Sequence, residues 1–172
     1  MAKKELKFVQ CKKDNKEHSD VLLEMMIPYF DEVYTDCENA NELEVPPPEH
    51  TAKFSKAMIN GQGAHDRHLE ICYETNDIPI GFYHAKVGHD DRPGGFILEF
   101  YILPDYRRKG YGKIMFHRIE TLFAIHGVKQ MYLRSKSFTG MPFWESLGFK
   151  NVDIKTRFYE KELEKLELFT TK

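Results

Sequence analysis

Cysteine is scarce in this sequence of 172 residues, which contains three cysteines, Cys11, Cys37 and Cys72. Their odd number and wide separation do not match the closely spaced pairs of disulfide frameworks or structural metal sites. The sequence therefore predicts no disulfide framework and no metal, and it favours a reducing compartment.

Long hydrophobic runs are missing as well. The longest apolar stretches reach about half of the roughly 20 residues that a membrane-spanning helix needs. The N-terminal segment Met1–Phe8 has no apolar core of the kind found in a secretory signal. We therefore expect a cytoplasmic protein that has no membrane partner.

An excess of charge of one sign is also absent, because 25 Lys and Arg residues stand against 27 Asp and Glu residues, a formal net charge of −2. Nucleic-acid-binding domains usually carry a broadly basic surface. We expect no nucleic-acid partner, and any basic chemistry must be confined to a local cluster of cations.

The sequence does contain enough apolar material for one core. Hydrophobic residues make up 41% of the chain and charged residues 30%, a composition that disfavours disorder. At this length a single hydrophobic core is the default. The sequence thus predicts one domain over residues 1–172.

Apolar periodicity predicts a mixture of strands and helices. Ser19 or Asp20 is the expected cap of a first helix, which Pro28 would bend, and Asn60-Gly61 would end a second helix. Residues 88–95 are expected to form a turn. The predicted strands cover residues 6–11, 68–74, 79–87, 96–103 and 130–134, and further helices cover residues 49–59, 111–126 and 142–147. This order indicates an α/β or α+β fold with three layers.

The segment from Phe96 to Leu103 is the most apolar predicted strand, as is typical of a central strand that is covered on both faces. Glu99 is its only acidic or basic side chain. A buried carboxylate is costly unless it is hydrogen-bonded or handles protons at a site. Glu99 is therefore either a structural hydrogen-bond acceptor or a proton carrier, and the residues alone leave both interpretations open.

A basic, glycine-containing loop lies between this strand and the next predicted helix. A helix start attracts phosphate through its unpaired N–H groups and its dipole, and glycine lets an anion approach the backbone. The loop lacks the spacing of a Walker loop or a dinucleotide fingerprint. It is either a phosphate site or a solvated basic turn. Its residues are Arg107, Arg108, Lys109, Gly110, Tyr111, Gly112 and Lys113.

The segment from Leu98 to Gly112 resembles motif A of the GCN5-related N-acetyltransferase (GNAT) family. The family signature, Arg or Gln followed by x-x-Gly-x-Gly or Ala, is met by Arg107, Gly110 and Gly112. A second segment, Phe143–Phe149, resembles the family's Phe-Tyr-Glu-x-Leu-Gly-Phe marker. The resemblance covers about residues 68–150, and it implies a mixed, mostly antiparallel central sheet that is flanked by helices.

The resemblance also implies a division of labour along the chain. Residues 1–67 are then the variable, acceptor-side part, and residues 68–150 are the acetyl-CoA-binding core. Residues 151–172 are a C-terminal strand and tail.

Acetyl-CoA is the donor that the resemblance implies, because its pyrophosphate suits the basic loop. The backbone of Tyr101–Leu103 is expected to pair with the pantetheine arm, and a backbone N–H near Tyr101 is expected to polarise the thioester carbonyl. Amides from Arg108 to Lys113 are expected to hold the pyrophosphate. The implied cofactor-binding residues are Tyr101, Ile102, Leu103, Arg107, Arg108, Lys109, Gly110, Tyr111, Gly112, Lys113, Ser137 and Trp144.

The acceptor that the resemblance implies is a primary amine of a small molecule or peptide, which attacks the thioester directly. An ammonium group with a pKa of about 10.4 must lose a proton before its nitrogen can attack, so a base is needed. Glu99 is the first candidate for this base, acting directly or through a water. His84 on the neighbouring predicted strand is the second candidate.

Two positions depart from the family pattern. Trp144 stands where the family commonly has a tyrosine that acts as general acid, and an indole cannot serve in that way. Trp144 packs either against pantetheine or in the core. Ser137 stands where the family often has an asparagine, and its shorter hydroxyl is expected to reach the cofactor through a water.

Other interpretations stay open at the level of sequence. A non-catalytic acyl-CoA-binding sensor is the alternative function, which Trp144 favours and Glu99 disfavours. The acidic segment Asp36–Glu49 either lines a groove for a cationic acceptor or is solvated. Homodimers are common in the family, but no residue pattern in this chain decides whether it forms one.

Overall fold

The structure is a computed structural model. It describes residues 6–36, 46–61, 66–75, 77–89, 92–135 and 137–163. The strands are β1 (Lys7–Gln10), β2 (Arg67–Glu74), β3 (Ile78–His89), β4 (Arg92–Ile102), β5 (Gln130–Arg134), β6 (Lys150–Asp153) and β7 (Phe158–Glu162). The helices are α1 (Lys16–Thr35), α2 (Pro48–Gly61), α3 (Tyr111–Ile125) and α4 (Met141–Ser146), and a short 3-10 turn covers Pro104–Tyr106.

Parts of the sequence predictions lie outside the described residues. These parts are Cys37, residues 37–45 of the acidic segment, and residues 164–172 of the C-terminal tail. The other two cysteines, Cys11 and Cys72, are buried free thiols.

The seven described strands form one sheet in the order β1-β2-β3-β4-β5-β7-β6. Every pair of neighbouring strands is antiparallel except β4 and β5, which are parallel. The crossover from β4 to β5 contains α3, as a parallel connection requires. The mixed, mostly antiparallel sheet that the sequence predicted is therefore confirmed.

Helices cover both faces of this sheet and complete the three predicted layers. On one face Leu22 of α1, Met58 of α2 and Ile71 of β2 share a buried apolar cluster. On the other face Ile119 of α3 packs in a second cluster with Met131 of β5. Burying a side chain of this size stabilises the fold by about 1.5 to 3 kcal/mol.

Helix α1 begins earlier than the sequence predicted. Its N-cap is Asn15, whose side chain accepts the His18 N–H at 3.0 Å, so the prediction of Ser19 or Asp20 as the cap is wrong. The helix also continues past Pro28 to its end. Buried residues of α1 anchor the helix on the sheet, and this packing offsets the backbone hydrogen bond that a proline removes.

Helix α2 is also longer than predicted. Asn60 and Gly61 were expected to follow the end of the helix, but they are its last two residues. None of the helices in the described ranges is long and apolar enough to cross a membrane.

The bounds of the turn expected at residues 88–95 are wrong, because β3 runs to His89, β4 begins at Arg92, and these two residues pair in the antiparallel ladder. Gly94 and Gly95 lie inside β4 and have a packing role. A Cβ atom on Gly95 would come within 2.6 Å of the Phe123 ring of α3. These glycines therefore allow β4 to approach Phe123 of α3 and Tyr132 of β5 closely. A sequence pattern does not distinguish a glycine with this packing role from a glycine in a turn.

Strand β4 separates from β5 after three paired residues, and this separation creates the site. Gly95–Ile97 pair with β5, whereas β4 continues to Ile102. Leu98 is an extra residue in the ladder with β3, because Ile97 pairs with Ala85 while Glu99 pairs with His84. Such a bulge bends and twists a strand. The expected cover on both faces of β4 is therefore wrong at Leu98, which is exposed, although Tyr101 and Ile102 further along the strand are buried.

Candidate active site

A cleft of about 820 Å³ opens where β4 and β5 separate. Helix α1, the loop after β4, the start of α3, the β5–α4 loop and α4 provide its walls. The predicted site residues that line it are Glu99, Tyr101, Ile102, Arg107, Arg108, Gly110, Gly112, Lys113, Ser137 and Trp144.

The start of α3 presents an open helix N-terminus to this cleft. Gly110 is the N-cap residue and has the left-handed conformation, with φ of 89°. No described atom lies within 4 Å of the position that a Cβ on Gly110 would take. A Cβ on Gly112 would lie 3.2 Å from the Phe143 ring. Gly110 has no side chain with which to cap the first turn of α3, whose first N–H groups lack partners within the helix. This end of the cleft can therefore receive an anion.

The charges along the cleft are arranged unevenly. Arg108 and Lys113 flank the helix N-terminus, and Arg134 lines the wall that β5 provides. Glu99 lies on the β4 wall. The described residues include no group of three or more His, Cys, Asp or Glu side chains that could hold a metal ion.

Arg107 lines the cleft and also connects the loop after β4 to helix α1. Its Nε donates to the Ile102 carbonyl at 2.8 Å, and its Nη2 donates to both carboxylate oxygens of Glu32 at 2.8 and 2.7 Å. The guanidinium also lies 5.3 Å from the centre of the Tyr101 ring. The cation that opens the family signature is thus committed to α1, so it contributes less to phosphate attraction than the sequence suggests.

Three predicted cofactor residues do not line the cleft. Lys109 lies with its Nζ 5.4 Å from the centre of the Tyr106 ring. Tyr111 is buried in the core and its hydroxyl donates to Glu74. Leu103 packs against the α1 side of the core. Side-chain contacts from these residues to a molecule in the cleft are therefore not supported by the structure.

The backbone donors of β4 differ from those expected. Leu103 N–H donates to the Ile80 carbonyl at 2.8 Å, so this amide belongs to the ladder with β3. Because hydrogen-bonded pairs alternate along an antiparallel ladder, Tyr101 N–H also faces β3. The amides that face the cleft are those of Phe100 and Ile102. This is a correction for Tyr101 and Leu103, and the sequence missed it because the alternation depends on the register of β3.

Glu99 has a partner on helix α1. The hydroxyl of Tyr29 donates to its Oε2 atom, and both residues line the cleft. Burial and then the negative charge of Glu99 raise the pKa of Tyr29 well above its ordinary value, so the phenol stays protonated. The pairing joins residues 70 positions apart, and no local sequence signal could have found it.

His84 cannot serve as the second base. It is paired with Glu99 in the strand register, but it is buried, with 4% of its surface exposed, and does not line the cleft. Burial, followed by the charges of Arg67 and His68, lowers the pKa of His84 to about 4. The imidazole is therefore neutral at physiological pH and lies away from any acceptor in the cleft.

Ser137 serves as a link to α1. Its Oγ donates to Asp36 Oδ2 at 2.6 Å, and Thr139 donates to the same oxygen through Oγ1 at 2.7 Å and through N–H at 3.0 Å. Partial burial raises the pKa of Asp36, but these hydrogen bonds outweigh it and hold the pKa below its usual value. We call Asp36, Ser137 and Thr139 the α1–loop link.

Trp144 belongs to the core and also borders the cleft. It is 7% exposed, and its ring lies 5.0 Å from Phe100 and 5.5 Å from Phe149 in edge-to-face geometry. The indole therefore packs in the core and borders the cleft, and its contact with pantetheine stays a prediction.

Comparisons with known proteins agree with this geometry. The family model of the acetyltransferase (GNAT) family matches residues 24–149. A [ribosomal protein bS18]-alanine N-acetyltransferase of Haemophilus influenzae is 26% identical over 127 residues, which cover 73% of this chain and 84% of that protein. The crystal structure of an acetyltransferase from Thermus thermophilus superposes with a TM-score of 0.70 at 17% identity, over 92% of this chain and 97% of that one.

A second solved structure, the PaiA N-acetyltransferase of Thermoplasma acidophilum in complex with coenzyme A, gives a TM-score of 0.65 at 17% identity. The similarity covers 92% of this chain and 99% of that chain. At this identity the structural matches establish the fold, and the family model, which spans most of the chain, establishes the kinship. This protein belongs to the acetyltransferase (GNAT) family.

Proposed function

We propose that this protein is an N-acetyltransferase that transfers the acetyl group of acetyl-CoA to a primary amine of a small molecule or peptide. One observation carries the proposal: a single cleft joins the open N-terminus of α3 to the carboxylate of Glu99. The helix N-terminus can bind a phosphate, and the carboxylate can accept a proton. The H. influenzae relative is named as an alanine N-acetyltransferase, which supports an amine acceptor.

The donor would bind with its pyrophosphate at the start of α3. Gly110 and Gly112 leave the backbone amides accessible, and Arg108 and Lys113 add charge. The pantetheine arm would then follow the free edge of β4, where the expected Ile102 amide is joined by that of Phe100 in place of Tyr101 and Leu103. An amide aimed at the thioester oxygen would stabilise the developing oxyanion by about 3 kcal/mol.

The chemical step would be direct attack of the amine nitrogen on the thioester carbon. Glu99 would accept the proton that the amine gives up, directly or through a water, because a free ammonium has a pKa of about 10.4. The N–C bond forms and the C–S bond breaks. The sulfur can leave as a thiolate, since a thiol has a pKa of about 8.5, so the step does not require an acid at Trp144.

Holding both reactants in one cleft would supply much of the remaining acceleration, because it replaces a collision in solution with a fixed approach. The acceptor would enter beside Tyr29 and Val33 of α1, which line the cleft near Glu99. A carboxylate at this point favours an acceptor that arrives as a cation.

The proposal is tested by thiol release from acetyl-CoA with a panel of amines that includes polyamines, aminoglycosides and peptides with a free N-terminus. We expect release that depends on one class of amine. Calorimetry with acetyl-CoA runs alongside. Binding without any amine-dependent release would instead favour a non-catalytic acyl-CoA sensor, and the absence of binding would exclude both functions.

A further inference from the structure

Tyr29 lies beside Glu99 in the cleft, although the two segments that resemble family motifs do not include it. It lies on α1, lines the cleft, and donates its hydroxyl hydrogen to Glu99 Oε2. Its ring is fixed by neighbours on the sheet, with centroids 5.6 Å from Phe82 and 5.4 Å from Tyr101 in edge-to-face contacts. The hydroxyl is therefore held against the carboxylate by a packed ring.

The hydroxyl adds something that packing does not need. A phenylalanine would make the same ring contacts with Phe82 and Tyr101, but it would leave the Glu99 carboxylate without this donor. A hydrogen bond from a neutral donor to a carboxylate fixes its orientation and favours its ionised form. An ionised, oriented carboxylate is what a base for an amine requires.

We propose that Tyr29 is the positioning residue for Glu99, holding the carboxylate in the orientation and charge state in which it takes the proton from the acceptor amine. The inference rests on the proposed function, since it presupposes that Glu99 is the base. Tyr29 acts through Glu99 and transfers no proton of its own.

The other charged and titratable groups on the described elements around Glu99 are the same in wild type and in a Tyr29→Phe variant. His84 of β3 is the cross-strand partner of Glu99 in the register but does not line the cleft, and burial and the charges of Arg67 and His68 lower its pKa to about 4. From α1 and the loop after β4, the charges of Glu32 and Arg107 are paired with each other.

The remaining ionisable groups that line the cleft are the Tyr101 phenol, which donates to Glu32 and whose pKa is raised by burial, and cations on the other elements. Arg134 of β5, Arg108 and Lys113 share the cleft with Glu99 and are unchanged by a substitution at Tyr29. Removing the Tyr29 hydroxyl therefore changes one donor to Glu99 while the surrounding charges stay the same.

The experiment compares wild type, Tyr29→Phe and Glu99→Gln, with Tyr34→Phe as the matched control on the same helix, because Tyr34 does not line the cleft. The acid limb of the kcat/KM profile for the amine is measured for each protein. We expect Tyr29→Phe to move this limb upward by about one pH unit and to lower kcat about tenfold, while the KM for acetyl-CoA is kept. Tyr34→Phe should leave the limb in place.

A second measurement needs no turnover. The side-chain carboxyl carbon of Glu99, assigned by its loss in Glu99→Gln, is titrated by NMR in the protein without donor. We expect its midpoint to rise in Tyr29→Phe and to stay in place in Tyr34→Phe. Thermal unfolding of each variant shows that the fold is kept.

The outcomes separate the inference from the proposed function. If Glu99→Gln loses activity but Tyr29→Phe leaves both the limb and the NMR midpoint unchanged, the role of Tyr29 is overturned and the acetyltransferase stands. If Glu99→Gln turns over at the wild-type rate, Glu99 is not the base and the inference fails with it, although the transfer reaction itself remains.

Discussion

Arg107 and Glu32 form a two-pronged ion pair that ties the loop after β4 to helix α1, with Nη2 at 2.8 and 2.7 Å from the two carboxylate oxygens. Both side chains are about one-third exposed, so water weakens the attraction. The same guanidinium also donates to the Ile102 carbonyl. The pair therefore holds α1 over the cleft and aligns the end of β4.

Replacing Glu32 with alanine should lower the free energy of unfolding by about 1 kcal/mol, because it removes the ion pair with Arg107 and the hydrogen bond that the Tyr101 hydroxyl donates at 3.0 Å. At this chain length the loss corresponds to a fall in Tm of about 2 to 4 °C. The control is Asp20→Ala, which removes the exposed pair with Lys16 on the same helix and should change stability by less than about 0.5 kcal/mol. Equal losses of unfolding free energy in the two variants would show that the contacts of Glu32 stabilise the fold no more than an exposed ion pair does.

The second prediction concerns two glycines with the same backbone strain at opposite ends of α3. Gly110 has φ of 89° and Gly127 has φ of 69°, and neither has an atom within 4 Å of an added Cβ. Valine at either position should therefore cost about 1 to 3 kcal/mol of folding free energy. Only Gly110 lines the cleft.

Gly110→Val should weaken acetyl-CoA binding by at least about tenfold, because the side chain would keep the pyrophosphate from the amides. Gly127→Val should keep the affinity of wild type. Isothermal calorimetry measures both, at a temperature where both variants are folded. An unchanged affinity in Gly110→Val would remove the phosphate site from the start of α3.

The sequence predicted those parts of the site that depend on neighbouring residues. The basic loop and its glycines lie within one strand–loop–helix unit, so their spacing already shows where a phosphate could bind. Glu99 stood out because it is the one acid in an apolar strand.

Contacts between distant parts of the chain could not be predicted. Tyr29 with Glu99 and Asp36 with Ser137 are 70 and 101 residues apart, and each depends on how α1 lies across the sheet. The assignment of backbone donors failed for the same reason, since the direction of an amide in β4 is set by its partner strand β3. Gly94 shows how a local pattern can mislead, because glycine there predicted a turn and the residue lies inside strand β4.

The α1–loop link predicts a pH dependence of stability. The folded-state pKa of Asp36 is depressed, so its stabilising effect is present above its unfolded pKa of about 3.9 and is lost as the pH falls through the folded value. The difference in unfolding free energy between wild type and Asp36→Asn should be constant at neutral pH and shrink below about pH 4.

Urea unfolding of wild type and Asp36→Asn across the acidic range measures this difference. Ser137→Ala serves as the companion variant, because it removes one of the donors that hold the Asp36 pKa down. It should lower stability at neutral pH by less than Asp36→Asn does. A difference that grows in acid would contradict the assigned direction.

An ion pair between a buried carboxylate and a partly exposed guanidinium, on the other face of the sheet, predicts a larger effect. Glu70 of β2 is 7% exposed and accepts hydrogen bonds from Arg118 Nε at 2.9 Å and Nη2 at 2.8 Å. Arg118→Met keeps the stem of the side chain but leaves a buried carboxylate without its cationic partner. We expect a loss of about 2 to 3 kcal/mol of unfolding free energy, measured in urea.

The double variant Glu70→Gln with Arg118→Met tests the reason for that loss. If the cost comes from the unpaired charge, neutralising Glu70 should recover part of the stability. If it comes from lost packing of Arg118, whose guanidinium lies 5.7 Å from the centre of the Phe8 ring, the double variant should be no more stable than the single one.

Glu99→Gln isolates the proton transfer from donor binding. Glutamine has nearly the same shape and can still accept the Tyr29 hydroxyl hydrogen, but it cannot take a proton. At neutral pH kcat should fall by about 100-fold while acetyl-CoA affinity is kept. The deficit should shrink as the pH rises toward about 10, because more of the amine is already deprotonated in solution. The control is Glu24→Gln on the exposed side of α1, which should match wild type throughout. A deficit that is constant at every pH would mean that Glu99 orients the acceptor and does not take its proton.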